Sequence, residues 1–212
     1  MGLALSTNFL ADMLANDPEG AEWFRGQMEL VNELLAAQGL PPHAEPETFG
    51  AVKARAHCGS FPYSFLHYLR RAYARTREYP DRPLEPVRAG EDPAADPAVE
   101  DASSMLDSHL LCHSDCEGFY VPIELDVIFD VDERGLAGGM LGSSVCLLRE
   151  LVEVAPSIGI ELQGGNLTDE AVAALAAEEH EAARFGIERL VWLALYETAR
   201  VSVANKTVLV FC

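Results

Sequence analysis

The sequence is short of positive charge, and lysine is nearly absent. Its 212 residues include thirteen arginines and two lysines against 34 aspartates and glutamates, which gives a formal net charge of −19 at pH 7. General binding to nucleic acid or to anionic membranes needs a cationic surface, because the affinity comes largely from counterion release. The composition therefore argues against both kinds of binding. It favours a solvated acidic surface or a basic protein partner.

The chain also lacks a long apolar run and an even set of cysteines. Its longest apolar run, 190–196, is far shorter than the roughly 20 residues that cross a bilayer. The N-terminus has no basic segment and carries Asp12, so it does not have the pattern of a signal peptide. Five unevenly spaced cysteines indicate reduced thiols instead of a disulfide framework. We therefore expect a cytoplasmic protein.

Hydrophobic periodicity predicts a helix-dominated α+β fold with one globular domain over 1–212. Asp17 is placed to cap a helix over 18–38, and the most regular apolar pattern predicts a helix over about 183–203. Residues 79–103, which contain five prolines and several acids, predict a long exposed loop. A small sheet is expected, with "TVLVF" paired to "HLLCH". Its strands are predicted near 51–57, 108–113, 119–124 and 207–211.

The few cations are concentrated in one stretch of the chain. Residues 53–88 hold more than half of them: Lys53, Arg55, Arg70, Arg71, Arg75, Arg77, Arg82 and Arg88. These side chains could form a patch for an anionic ligand. They could equally serve as the internal counter-charge of an acidic protein, and we favour this second interpretation.

The densest group of reactive side chains lies in "SHLLCHSDCEGFYVP", residues 108–122. In an extended strand His109 and His113 share one face, whereas Cys112 lies on the other. A strand would therefore separate Cys112 from the polar residues that follow. The side chains left together at the strand end are His113, Asp115, Cys116 and Glu117.

Two kinds of metal site fit this turn. A closed zinc site needs four ligands, and the available set is His57, Cys58, His113 and Cys116. Neither half of this set has the paired C-x2-C or H-x3-H spacing that is usual for zinc. An open site for a divalent cation would combine carboxylate oxygens with a histidine nitrogen. The candidate ligands of that site are His57, His113, Asp115 and Glu117.

A third hypothesis makes a cysteine the nucleophile of a hydrolase-type enzyme. Cys116 or Cys58 would attack the substrate, with His113 or His57 as the base. Asp115 would orient that base. Acidic neighbours disfavour a thiolate, which weighs against Cys116.

The simplest interpretation of the stretch is structural. Cys112 and His109 would then belong to the core, and "SDCEG" would be a polar turn whose acids accept hydrogen bonds from nearby amides. This interpretation needs no ligand.

The stretch "HLLCHSDCEGFYVP" resembles a block in a family of uncharacterised bacterial and phage-encoded proteins, in which a short strand runs into H-S-D-C-[DE]-G. An upstream block of that family, H-x-G-x-Y-S-x-F-like, is similar to residues 57–65 here. The resemblance implies a shared site and no particular reaction. The matching residues are His57, Tyr63, Ser64, Phe65, His113, Ser114, Asp115, Cys116, Glu117 and Gly118.

The sequence favours a bacterial binding protein with a polar cleft formed by the His57 and His113–Glu117 blocks. Its acidic surface would dock a basic protein partner, as an immunity protein or antitoxin docks a toxin or a nuclease. The alternative is a hydrolase-type enzyme that uses a divalent metal or Cys/His chemistry at the same cleft. The sequence determines neither the substrate, nor the partner, nor the oligomeric state.

Overall fold

Short strands and longer helices alternate in the computed structural model, which describes residues 2–56 and 59–212. The strands described are β1 (Gly2–Leu3), β2 (Leu5–Ser6), β3 (Phe61–Pro62), β4 (Gly118–Val121), β5 (Ile128–Phe129), β6 (Met140–Ser143) and β7 (Leu209–Phe211). The α-helices described are α1 (Phe9–Asn16), α2 (Pro18–Ala37), α3 (Tyr63–Glu78), α4 (Pro97–Ser103), α5 (His109–Cys112), α6 (Ser144–Val154), α7 (Asp169–Ala176) and α8 (Gly186–Asn205). This confirms the prediction of a helix-dominated α+β single domain with a small sheet.

Five of the strands form one mixed sheet in the order β2-β7-β4-β6-β5. Strands β4 and β6 are parallel, and each of the other neighbouring pairs is antiparallel. Strands β1 and β3 form a separate antiparallel pair. The sheet is small because its strands are between two and four residues long.

Helices cover both faces of this sheet. Successive side chains of a strand point to opposite faces. Accordingly, Phe119 and Val121 of β4 belong to the core cluster built with α1 and α2. Tyr120 belongs instead to the cluster formed with α3, α6 and α8. The domain therefore has three layers, with α1 and α2 alone on one side.

The sequence of α2 explains both its start and its inner face. The Asp17 side chain accepts a hydrogen bond from the Gly20 amide at 3.0 Å, and Pro18 occupies the first helical position. An N-cap of this kind stabilises a helix by about 1 kcal/mol. The buried positions recur at helical spacing and pack on the sheet: Ala21, Phe24, Met28, Val31, Leu34 and Leu35. The helix predicted over 18–38 is confirmed almost residue for residue.

Helix α8 forms the centre of the opposite layer. Its Trp192 is fully buried, is stacked on Tyr196 and donates a hydrogen bond from Nε1 to the Leu151 carbonyl of α6 at 2.7 Å. Burial of a tryptophan with its N–H satisfied contributes strongly to a core. No helix within the described residues is long and apolar enough to cross a membrane.

The predicted strand over 108–113 is wrong, because this segment is the short helix α5. Ser108 caps it by accepting a hydrogen bond from the Leu111 amide at 3.1 Å. The Glu150 carboxylate of α6 accepts two more, from the amides of His109 and Leu110. These acceptors satisfy the first amides of a helix that is too short to be stable alone. Consequently "TVLVF" does not pair with "HLLCH"; β7 pairs with β4 and β2.

The strand predicted near 51–57 is also not found in its described part, 51–56. The backbone of Val52 is hydrogen-bonded to the Asn205 side-chain amide in both directions. The Arg55 amide donates to the carboxylate of Glu197 at 2.8 Å. Side chains of α8 thus take the place of a neighbouring strand. The strands predicted near 119–124 and 207–211 occur as β4 and β7.

Two further segments differ from the sequence pattern. The glycine-rich stretch before 143 contains the strand β6, which was not among the predicted strands. The segment 79–103, predicted as an exposed loop, ends in the helix α4, whose Ala98 and Ala102 are buried against the core.

The parallel pairing of β4 and β6 depends on Gly142. A Cβ atom at this position would lie 2.3 Å from Cδ1 of Tyr120, its partner in the neighbouring strand. We predict that Gly142→Ala lowers the free energy of unfolding by about 1–3 kcal/mol, since the ring must shift in a packed core. Urea denaturation monitored by circular dichroism measures this loss.

Gly26, in the exposed part of α2, provides the matched control. A Cβ there would meet nothing within 4 Å, so Gly26→Ala should raise the free energy of unfolding by roughly 0.5–1 kcal/mol. Equal effects of the two alanine substitutions would contradict the role given to Gly142.

Candidate functional site

The segment singled out in the sequence connects α5 to β4 and is fastened to α3 by Arg70. The Arg70 side chain is 7% exposed. It donates hydrogen bonds to the carbonyl of Leu110 at 2.8 Å and to the carbonyl of His113, and it forms an ion pair with Asp115. A buried guanidinium needs such partners, because leaving its donors unpaired costs several kcal/mol. Arg70 therefore fixes the position of the turn.

His113 is part of the core, with 3% of its surface exposed. Its ring stacks on Tyr120 with centroids 4.1 Å apart, and Phe211 meets it edge-on at 4.6 Å. Nδ1 donates to the Ser114 carbonyl at 3.0 Å, whereas Nε2 has no hydrogen-bond partner among the described residues. Burial lowers the pKa of His113 to about 3. The ring is therefore neutral and packed, with Gly118 close beside it at a φ of 128°.

Asp115 is the charged member of the turn, and its charge is already balanced. Its second oxygen lies 3.2 Å from Nε2 of His67, on the same helix as Arg70. The hydrogen bond from His67 and the charge of Arg70 lower the pKa of Asp115 to about 2, against the opposing effect of its partial burial. The carboxylate is thus held ionised by the protein itself.

Cys116 and Glu117 are exposed, and Sγ of Cys116 lies 3.7 Å from the Ser114 hydroxyl. Cys112 is half-buried, and burial raises the pKa of its thiol. Within residues 2–56 and 59–212, no three His, Cys, Asp or Glu side chains are grouped so that they could hold a metal ion. His57 and Cys58 lie outside the described residues. The metal and nucleophile hypotheses at this turn therefore stay predictions.

The two polar residues that organise this region were missed by the sequence analysis. Arg70 was counted only within the basic stretch, and Glu150 was not singled out at all. Glu150 accepts from the Ser108 hydroxyl as well as from two amides of α5, and burial raises its pKa to about 7. The only indication of this role in the sequence is that Glu150, a charged residue, stands at a buried position of the helical pattern of α6.

The arginines of α3 meet carboxylates, and two of them, Arg70 and Arg71, are buried. Arg71 and Arg75 both pair with Asp96, at 2.8 and 2.6 Å. Arg77 forms two hydrogen bonds with Asp107. Together with Arg70, these contacts support the interpretation of the basic stretch as an internal counter-charge. The cations of α3 are therefore matched by carboxylates of the same chain.

The remaining carboxylates define the outer surface. On α2, Glu19, Glu22 and Glu29 are exposed and have no ion-pair partner among the described residues, whereas Glu33 lies 3.5 Å from Arg134. Comparable exposed acids occur on the opposite layer, at Glu153, Glu161, Glu170 and Glu179. Because most arginines are already paired, the acid excess faces solvent. Such a surface attracts cationic molecules.

A comparison with protein families gives a match over nearly the whole chain. The profile of the family described as "Putative DNA-mimic protein" matches residues 1–211. The chain belongs to this family. Membership in the DNA-mimic family indicates an interaction protein. The match does not test whether the H-S-D-C-E-G block is a feature of the DNA-mimic family. Neither a search of curated proteins nor a search of solved structures returned a match.

The buried hydrogen bonds of Arg70 lead to a stability prediction. Arg70→Met should lower the free energy of unfolding by about 2–4 kcal/mol, because two backbone carbonyls and a carboxylate lose their donor. Arg77→Met removes a more exposed pair, with side chains 28% and 49% exposed, and should cost only about 0–1 kcal/mol. Urea denaturation at pH 7 compares the two. A similar loss in both variants would contradict the role of Arg70.

The ionised Asp115 side chain leads to a prediction about how the free energy of unfolding depends on pH. Its pKa of about 2 in the folded protein lies below the value of about 3.9 expected in the unfolded chain. The folded state therefore gains stability from its charge above about pH 4 and loses it as the pH falls toward 2. Asp115→Asn should be less stable than the wild type at pH 6, with the difference shrinking on acidification.

Urea midpoints measured between pH 6 and pH 2.5 check this expectation. Glu117→Gln, which neutralises an exposed carboxylate without an ion pair among the described residues, serves as the control and should follow the wild type. A wild-type advantage over Asp115→Asn that persists unchanged at pH 2.5 would show that charge is not its source.

Proposed function

We propose that this protein is a binding protein whose acidic surface occupies the DNA-binding surface of a basic partner. The partner would be a protein that normally contacts the phosphates of duplex DNA. An immunity or antitoxin role is one form of this function, in which the partner is a toxic nuclease. The family match over residues 1–211 supports the proposal.

The observation that carries the proposal is the separation of charge between interior and surface. The net charge is −19, and the arginines of α3 pair with Asp96, Asp107 and Asp115, which leaves the glutamates on the outer face of α2 without them. An acidic surface kept free in this way costs stability through self-repulsion. A basic partner offsets that cost, because it brings cations to the unpaired carboxylates.

The physical basis of competition with DNA is the phosphate charge. Duplex DNA carries about one negative charge for every 1.7 Å of its axis, and proteins bind it mainly through lysine and arginine. Carboxylates on a rigid protein surface can pair with the same side chains. Binding should then be fast, sensitive to salt and mutually exclusive with DNA.

A displacement assay tests the function. A fluorescein-labelled duplex of 20 base pairs is bound to each of three purified bacterial proteins: a histone-like packaging protein, a helix-turn-helix repressor and a nuclease. We expect the protein to displace the duplex from at least one of them, as measured by fluorescence anisotropy. The affinity of the protein for that DNA-binding protein should weaken at least tenfold between 50 and 200 mM salt, in the way that phosphate contacts do.

Hen lysozyme, a basic protein that does not act on DNA, provides the control. Its affinity for the protein should be at least tenfold lower than that of the displaced DNA-binding protein. Failure to displace the duplex from any of the three proteins would overturn the proposal. Equal affinity for lysozyme would show that the displacement comes from non-specific charge attraction. This result would overturn the proposal as well.

A further inference from the structure

Trp23 is a half-exposed aromatic side chain at the flank of α2, beside its outer face. The residue is 52% exposed. The centroid of its indole ring lies 6.4 Å from the ring centroid of Phe119 in the sheet. The ring is therefore near the sheet on one side and open to solvent on the other. Tryptophan in such a position is enriched at the energetic centres of protein interfaces.

Gly26 lies one helical turn beyond Trp23 and has no role in packing. It is in the interior of α2, it is exposed, and an added Cβ would meet nothing within 4 Å. A glycine in a helix interior costs about 1 kcal/mol relative to alanine. The fold does not explain this cost. The absence of a side chain leaves the helix backbone beside Trp23 open to solvent.

Glutamates continue the same face in both directions. Glu19, Glu22, Glu29 and Glu33 join Gly26 in a row of i, i+3 and i, i+4 neighbours, which spans about 21 Å of helix. Like charges at these spacings destabilise an isolated helix. The last turn of α2 contains no basic residue, although cations are the favourable charges at a helix C-terminus. Apart from Glu19 in the first turn, whose charge suits the helix N-terminus, the charges of this row, like Gly26, do not favour the stability of α2.

We propose that the outer face of α2 is the docking surface for the basic partner, with Trp23 as its anchor. The inference rests on the proposed function and names the site where it is carried out. The occupant is the arginine-rich, phosphate-binding groove of a DNA-binding protein. An arginine of the partner stacks on the Trp23 ring, and its neighbours pair with the glutamate row. Gly26 keeps the approach to the ring open.

Single substitutions at Gly26 and Trp23 test the anchor. Gly26→Gln replaces open space by a side chain that favours helix, so the melting temperature should rise while the displacement of DNA weakens at least fivefold. Trp23→Ala should weaken displacement at least tenfold with an unchanged far-ultraviolet circular dichroism spectrum, and Trp23→Phe should recover part of it. The probe is the DNA-binding protein that the wild type displaces from the labelled duplex.

Two fourfold variants test the glutamate row at equal change of net charge. E19Q/E22Q/E29Q/E33Q should weaken displacement at least tenfold more than E153Q/E161Q/E170Q/E179Q, whose residues are exposed on the opposite layer. Equal effects of the two, together with unchanged displacement by Trp23→Ala, would overturn the docking surface and leave the proposed function standing. Absence of displacement by the wild type would remove the function and the site together.

Discussion

The pairing of buried arginines with carboxylates and backbone carbonyls is the constraint on which much of the structure depends. Arg70 and Arg71 are almost inaccessible to solvent, and a buried cation must find acceptors or the fold loses several kcal/mol. Their acceptors lie on the turn before β4 and on the segment before α4. These contacts hold two irregular segments against α3. They also bury the guanidinium groups of Arg70 and Arg71, which are then unavailable to neutralise the acids on the surface.

The repulsion between exposed carboxylates connects the stability of the protein to its binding. Exposed carboxylates repel one another and lower the free energy of unfolding, and the same repulsion is relieved when a cationic surface approaches. Salt screens both effects over about 8 Å at physiological ionic strength. The internal pairs, with side chains such as those of Arg71 and Asp96 only 6% and 7% exposed, are screened much less. Fold and interface therefore respond differently to salt although both depend on carboxylates.

The helices were predictable where local signals and burial agree. Asp17 and Pro18 mark the start of α2, Thr168 caps α7, and the apolar pattern of α8 is regular. The helix α5 was not predictable, because two of its first amides are satisfied by Glu150, 40 residues away. Likewise His113 was a candidate ligand by residue type, but its neighbours Tyr120 and Phe211 come from the sheet. Local sequence reports charge and periodicity, whereas burial of a polar group depends on tertiary contacts. The acidic surface followed from composition alone, yet its separation from the arginines required the structure.

Helix α2 shows how the demands of folding and of binding divide a single element. Its inner face carries Phe24, Val31 and Leu35, which are fully buried on the sheet, and this packing is what keeps the helix folded. Its outer face contains Gly26 in the helix interior and the like-charged pair Glu29 and Glu33 toward the C-terminus, which helix stability alone does not favour. Because the inner face supplies the stability, the outer face is free to depart from helix preference. Departures that no contact within the described chain explains point to a contact outside it. A cation-rich surface is the kind of molecule that gains from carboxylates at this spacing.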